Sequence, residues 1–258
     1  MLDYASIAYQ ALQTLWWLIP IALIIGVFKK SWFKGMQGEV MVKYAAKFRL
    51  AAGTYHPMHN LTLPTPDGST QIDHVFVSRF GIFVVETKNM KGLILGKEHQ
   101  AQWTQQFFKR SYLFQNPLRQ NYKHIKALEL ALDVPAEAIH SVIVFVGAST
   151  FKSTMPVNVT HGWGFIGYIK SFRDVLLSEA EVQNTLAQIT VLRLKPTRKT
   201  NRRHVKQLKA RFDPRTQKKC PACGHNMVLR TAQRGGYAGR TFWGCSAYPS
   251  CRQVQAVS

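Results

Sequence analysis

The chain has 258 residues, of which 46% are hydrophobic, and it carries a formal net charge of +21. This hydrophobic share is enough to form a buried core, and the length predicts one medium-sized domain with accessory segments. The charge indicates a polyanionic partner, either nucleic acid or an anionic membrane surface, with a ribosome-like or merely soluble basic protein as the alternative.

An uncharged apolar run, LWWLIPIALIIGVF, covers residues 15–28. Lys29, Lys30 and Lys34 follow it, whereas residues 1–14 contain no Lys or Arg. The positive-inside rule therefore predicts that residues 1–33 form a single-pass anchor in the inner (cytoplasmic) membrane, with the N-terminus outside and the main domains cytoplasmic. Because the run is short for a membrane span, a buried core helix is the alternative.

Two segments of different character come next. The apolar spacing in residues 35–50 predicts an amphipathic helix with Glu39 in its first turn, where the helix dipole favours an acid. The following stretch, HPMHNLTLPTPDGST, is rich in Pro, Gly and polar residues, so the sequence predicts a loop there.

The stretch QIDHVFVSRFGIFVVETKNMKG, residues 71–92, predicts two apolar strands joined by a tight turn. It carries Asp73, Glu86 and Lys88. If Ser78 pairs with Gly81, Asp73 lies directly opposite Glu86. Two such carboxylates repel each other, and a divalent cation such as Mg²⁺ or Mn²⁺ would relieve the repulsion. An ion-pair network of the three side chains is the alternative.

The remaining elements of this region indicate an α/β layout. Asn116 followed by Pro117 predicts a helix start, and HSVIVFVGA predicts a buried strand of the parallel type. Ser178 and Glu181 have the spacing of a capping box at the start of another helix. The order of helices and strands predicts a sheet that is covered by helices.

The C-terminal part begins with residues 194–219, a predicted basic linker; positions 195–219 hold 11 Lys or Arg and one acid. All four cysteines follow, and their spacing favours a metal site over disulfides, hence a reducing compartment. About 39 residues cannot form a sufficient core without a metal. We therefore expect a closed tetrahedral Zn²⁺ site, with His225 as a competing ligand that four thiolates make unnecessary. The predicted zinc ligands are Cys220, Cys223, Cys245 and Cys251.

The hairpin resembles the PD-(D/E)xK nuclease core, since an Asp is followed by a turn and then by Glu-x-Lys on the next strand. It resembles more closely the NERD, or nuclease-related, domain. The resemblance rests on GMQGE, QIDHVFVSRFGIFVVETKNMKG, WTQ and NPLRQNYKHI, although no proline precedes Asp73. It implies a restriction-endonuclease-like mixed sheet flanked by helices over residues 34–193, and a Mg²⁺- or Mn²⁺-dependent nuclease. The implied catalytic residues are Glu39, Asp73, Glu86, Lys88 and Gln120, with Asp73 and Glu86 as metal ligands.

Residues 220–258, with CPACG, MVLR and FWGCSAYPSC, resemble the C-terminal zinc finger of type IA DNA topoisomerases. The resemblance implies a zinc ribbon that binds single-stranded DNA through stacking aromatic rings and phosphate-binding arginines. We expect about half of these aromatic rings to pack the small ribbon core instead. The predicted DNA-binding residues are Arg230, Arg234, Tyr237, Arg240, Phe242, Trp243, Tyr248 and Arg252.

The sequence therefore predicts a membrane-tethered, metal-dependent nuclease that hydrolyses DNA phosphodiester bonds. The alternative is a catalytically inactive nucleic-acid-binding or scaffold protein at the inner membrane. No feature of the sequence separates DNA from RNA as the substrate, although the topoisomerase-like ribbon favours DNA.

Overall fold

The computed structural model describes residues 31–65, 68–195, 218–232 and 241–256, and the single residues 17, 18, 20, 197, 200, 202, 205 and 206. The predicted mixed α/β architecture is confirmed. No helix in these ranges is long and apolar enough to span a membrane. Most of the predicted anchor and most of the basic linker lie outside the described residues.

The main sheet has five strands in the order β1-β2-β3-β7-β9. β1, β2 and β3 are antiparallel neighbours, whereas β7 runs parallel to both β3 and β9. The apolar strand predicted from HSVIVFVGA is β7, in the parallel pairing that its composition indicated. The strands are β1 (His56–Thr65), β2 (Gly68–Ser78), β3 (Gly81–Asn89), β7 (Ile139–Val146) and β9 (Val159–His161).

Helices cover both faces of this sheet. On one face, α1 (Ser31–Arg49) and α3 (Gly164–Ser171) pack against Phe76, Phe83 and Val85. On the other face, residues of α2 (Pro117–Glu129) and α4 (Glu179–Leu192) surround the side chains of Val75 and Val84. The sheet is thus the central layer between two apolar cores.

The predicted helix starts are confirmed at two positions. The third is wrong, because α1 begins at Ser31, so Glu39 lies in the helix interior and not in its first turn. Asn116 caps α2 by accepting a hydrogen bond from the Leu118 amide, and Pro117 occupies the first turn. Ser178 and Glu181 form the reciprocal capping box that begins α4. These local signals rest on backbone donors that have no partner within the helix, so they can be read from sequence.

The loop predicted from HPMHNLTLPTPDGST is wrong, because most of this stretch forms β1 and the start of β2. β1 is an edge strand, so Pro57 and Pro64 can be accommodated without breaking the interior of the sheet. Leu61 and Leu63 are buried in the core on the α2 and α4 side. The tertiary position of the strand therefore outweighs its loop-like composition.

A second sheet, which the sequence did not predict, has the strand order β6-β5-β4-β8. Its fully buried Trp103 stacks on Phe145 of the main sheet at 6.2 Å between ring centroids. The WTQ segment therefore anchors this sheet to the main core. The strands are β4 (Gly92–Leu95), β5 (Gln102–Phe107), β6 (Arg110–Gln115) and β8 (Ser149–Phe151).

The cysteine-rich segment forms a small antiparallel sheet in the order β10-β11-β12-β13. Its core contains Cys220, Met227, Trp243 and Cys245. So few apolar side chains cannot stabilise a fold without a further crosslink. The strands are β10 (Lys218–Lys219), β11 (Asn226–Thr231), β12 (Thr241–Cys245) and β13 (Val254–Ala256).

Candidate active site and zinc centre

The turn between β2 and β3 sets the register of the hairpin. Ser78 pairs with Gly81 around the two-residue turn Arg79-Phe80. Gly81 has φ +129°, and a Cβ at this position would lie 2.6 Å from the Nε2 atom of His140, so only glycine fits without a shift. This register pairs His74 with Val85, and Asp73 and Glu86 follow as the next residues of the two strands, beyond the last pair.

Beyond His74–Val85 the paired strands separate into what we call the strand fork. β2 continues along β1, and β3 continues along β7. Asp73 lies where the fork opens, and its Oδ2 atom accepts a hydrogen bond of 2.9 Å from the Thr87 amide. Opposite Asp73 on β1, Asn60 adopts a left-handed conformation with φ 51°. The fork therefore places the Asp73 carboxylate beside β3.

Glu86 is the centre of a hydrogen-bond network in the fork. It is 3% exposed, and its Oε1 atom accepts a hydrogen bond of 2.7 Å from Lys88 Nζ. Lys88 also donates to Gln120 Oε1 at 2.8 Å. His124 Nε2 lies 3.2 Å from Glu86 Oε2, and its Nδ1 atom lies 2.7 Å from Thr70 Oγ1. Both carboxylate oxygens of Glu86 are thus held by side chains.

The charges in the network decide which carboxylate ionises. Burial opposes the ionisation of Glu86, but the Lys88 ammonium and the His124 hydrogen bond outweigh it, so the pKa of Glu86 is lowered. A carboxylate can only accept, so Nε2 of His124 carries the proton that it donates to Glu86. Glu86 therefore presents a fixed negative charge to its neighbours.

The pKa values of Asp73 and Glu39 are shifted in the opposite direction, upwards. Burial and then the Glu86 charge raise the pKa of Asp73 well above its usual range, although the Thr87 hydrogen bond opposes this. Burial and the Glu86 charge also raise the pKa of Glu39. The fork thus gathers carboxylates that repel one another, which is the donor chemistry that a hard divalent cation neutralises.

Close packing of α1 on β3 brings Glu39 to the fork. A Cβ on the adjacent Gly38 would lie 2.9 Å from the Asn89 Cβ and 3.0 Å from Val146 Cγ2. Glycine therefore allows the helix to approach the ends of β3 and β7. A larger side chain at position 38 would push the helix, and with it Glu39, away from Asp73 and Glu86.

The four cysteines form a compact group whose sulfur atoms all lie within 4.8 Å of one another. Cys220 and Cys251 have their sulfurs 3.7 Å apart, and those of Cys223 and Cys245 are 3.4 Å apart. Tetrahedral zinc with Zn–S bonds of about 2.3 Å requires sulfur separations of about 3.8 Å, which this group approaches. Within the described ranges, no other three or more His, Cys, Asp or Glu side chains have their ligand atoms this close together. The carboxylate oxygens of the fork are therefore farther apart than the cysteine sulfurs.

One face of the ribbon is suited to nucleic acid. A cavity of about 390 Å³ is lined by Arg230, Phe242, Tyr248 and Arg252, among others. The guanidinium of Arg230 lies over the Tyr248 ring, 5.8 Å from its centroid. Trp243, by contrast, is buried in the ribbon core and its ring is not offered to bases. Arg234, Tyr237 and Arg240 lie outside the described residues.

Comparison with known proteins shows two families along the chain. The nuclease-related domain (NERD) matches residues 34–146, and the topoisomerase DNA binding C4 zinc finger matches residues 217–257. A protein of Bacillus anthracis, described as uncharacterized, is 38% identical over 204 residues, covering 76% of this chain and 92% of that protein. The chain belongs to the NERD family. The NERD match contains the fork, and no solved structure matches the chain.

His124 and Thr70 are fork residues of the NERD domain that sequence reasoning missed. His124 lies four residues after Gln120, so both side chains project from one face of α2. Asn121, which is fully buried, donates hydrogen bonds to the Val84 carbonyl and the Ser141 hydroxyl. The spacing of Gln120 and His124 was the available signal, since a polar pair on an amphipathic helix can face a site.

Proposed function

We propose that this chain is a metal-dependent nuclease that hydrolyses phosphodiester bonds of DNA. The observation that carries the proposal is the network in which Glu86 and Gln120 hold the Lys88 ammonium beside Asp73. Membership of the NERD family and the topoisomerase-type zinc finger support it. The described residues thus combine a candidate hydrolytic centre with a candidate DNA-binding module.

Each fork residue has a proposed part in hydrolysis. Asp73 and Glu86 would hold Mg²⁺ or Mn²⁺, which when bound polarises the phosphoryl group and makes a coordinated water more acidic, and Glu39 is a further acid of the same site. Lys88 would position the attacking water or stabilise the negative charge that develops on the phosphate. His124 and Thr70 hold one oxygen of Glu86 in place, and Gln120 holds Lys88.

Replacement of Lys88 tests this assignment. Lys88→Met removes the ammonium with little change in side-chain length, so we expect cleavage of DNA to fall by about 10²-fold or more. Lys91→Met is the matched control, because Lys91 is exposed and follows the same strand. The measurement is Mg²⁺-dependent cleavage of single- and double-stranded DNA by the full chain.

DNA binding provides the second readout of this experiment. Lys88→Met should bind DNA as the unchanged protein does, because the ribbon and the basic linker are intact. Thermal melting establishes that the variant is folded. A folded Lys88→Met protein that cleaves DNA as fast as the Lys91→Met control would refute the assignment.

We also propose that residues 1–33 anchor the chain in the inner membrane, with residues 34–258 in the cytoplasm. The uncharged run at 15–28 and the lysines that follow it support this orientation. Deletion of residues 1–33 should move the protein from the sedimented membrane fraction to the supernatant. A deletion variant that still sediments with membranes would contradict the anchor.

A further inference from the structure

A cavity of about 400 Å³ lies between α1 and β1 on the main-sheet face that α1 covers. Its volume lies within the range of sites that hold small ligands. The cavity combines aromatic rings with two cationic side chains, and neither the fork network nor the ribbon uses them. The residues that define it chemically are Lys43, Tyr44, Lys47, Tyr55, His59 and Phe76.

The two lysines give the cavity a cationic rim. Lys43 and Lys47 are exposed and one helical turn apart, so their ammonium groups can contact successive anionic groups. Neither takes part in an ion pair within the part of the chain that the structure describes. A rim of two lysines without carboxylate partners favours a ligand that carries phosphate groups.

The floor of the cavity is aromatic. Phe76 is buried, and the ring of His59 meets it edge to face at 6.1 Å between centroids. His59 is held by its Nδ1 atom, which lies 2.9 Å from Nδ1 of the buried His74. Burial and the Lys43 charge lower the pKa of His59, so its ring is neutral at physiological pH and can contact an uncharged base. The half-buried ring of His59, with Phe76 packed behind it, is therefore the surface that can stack on a nucleobase.

The residues that line the cavity follow two fork residues, Glu39 on α1 and Asp73 on β2, along the same elements. Lys43 follows Glu39 by four residues, which corresponds to about 6 Å along the helix. On the sheet, His74 directly follows Asp73, and His59 pairs with His74. A strand of nucleic acid with a phosphate at the carboxylates therefore has its neighbouring nucleotide within reach of the cavity.

We propose that this cavity is a nucleotide subsite, which holds one unpaired base of a single-stranded substrate against the half-buried ring of His59, with adjacent phosphates on Lys43 and Lys47. The inference rests on the proposed nuclease function and specifies its substrate. A base in an intact duplex is stacked and paired, so it cannot enter without being extruded. The subsite therefore selects single strands or unpaired ends.

Photocrosslinking of the full chain tests the location. The probe is a short single-stranded oligonucleotide with one thiothymidine, bound to the Asp73→Asn protein to prevent its cleavage. We expect adducts at Tyr44, Tyr55 or His59 in addition to any in the ribbon, and no such adducts with a duplex of the same sequence. Adducts confined to the ribbon, or equal yields in the cavity with duplex, would overturn the subsite.

Charge-matched variants test the role of the lysines. Lys43→Ala with Lys47→Ala should lower the crosslinking yield in the cavity by about fivefold or more, and leave the yield in the ribbon unchanged. Lys152→Ala with Lys170→Ala removes the same charge from exposed positions elsewhere and should change neither yield. Equal loss in both double variants would mean that only the net charge matters.

Cleavage kinetics separate this inference from the proposed function. In otherwise unchanged protein, Lys43→Ala with Lys47→Ala should raise KM for single-stranded DNA and leave kcat unchanged. If the unchanged protein cleaves nothing, the proposed function fails, and the crosslinks still decide whether the cavity binds a nucleotide. If it cleaves single strands but the double variant keeps the same KM, the subsite fails alone.

Discussion

Asp73→Asn should abolish DNA cleavage and at the same time make the metal-free protein more stable. The amide oxygen can still accept the hydrogen bond from the Thr87 amide, so the local fold is retained. The negative charge is lost, however, and with it a ligand for the cation. Metal ions contribute several kcal/mol to such reactions, so we expect activity to fall by about 10³-fold.

The gain in stability follows from the environment of Asp73. Burial and the Glu86 charge raise its pKa in the folded protein, so ionisation at neutral pH opposes folding. Its protonated form contributes stability fully below the unfolded pKa of about 3.9, and this contribution is lost as pH rises through the raised folded pKa. Asparagine has no charge at any pH, so the metal-free variant should gain about 1 kcal/mol in free energy of unfolding near neutrality.

Melting curves with and without Mg²⁺ measure the gain in stability and the loss of metal binding, and a cleavage assay measures the fall in activity. Mg²⁺ should raise the melting temperature of the unchanged protein and should have little effect on Asp73→Asn. The matched control is Asp133→Asn, since Asp133 is exposed and outside the fork. The assignment would be wrong if metal-free Asp73→Asn melted at a lower temperature than the control, or if Mg²⁺ raised both variants equally.

The hairpin and the helix starts could be predicted from sequence because their determinants are local. Two residues between Ser78 and Gly81 fix the register, which pairs His74 with Val85 and so brings Asp73 next to β3. Asn116 likewise acts on an amide two residues away. Where an element is determined by a contact between residues close in the chain, the residue types and their spacing are enough to predict it.

The features that could not be predicted from sequence depend on contacts between segments that are distant in the chain. β1 has the composition of a loop and forms a strand because it pairs with the edge of β2. His124 joins the fork through Glu86, which lies 38 residues earlier. The cavity between α1 and β1 could not be predicted once β1 was interpreted as a loop.

Loss of the zinc ligands should unfold the ribbon while the NERD domain stays folded. Cys245→Ser removes one of four thiolates, and structural zinc contributes about 10–16 kcal/mol to the folding of comparable modules. The few buried side chains around Met227 and Trp243 cannot replace it. Affinity for long single-stranded DNA should therefore fall, whereas metal-dependent cleavage of short substrates should persist.

His225→Ala is the control that identifies the ligands, because His225 is exposed and next to the cysteine group. Its Nδ1 atom lies near the Cys223 carbonyl oxygen, at 3.3 Å, and four sulfurs already complete a tetrahedral shell. Zinc content per chain, measured by mass spectrometry of the metal, should thus be unchanged in His225→Ala and lost in Cys245→Ser. Zinc loss in His225→Ala would reassign a ligand, and full zinc content in Cys245→Ser would exclude the four-thiolate site. Each variant alters one candidate ligand of the ribbon. Comparison of His225→Ala with Cys245→Ser therefore separates the loss of a zinc ligand from a general destabilisation of the ribbon by substitution.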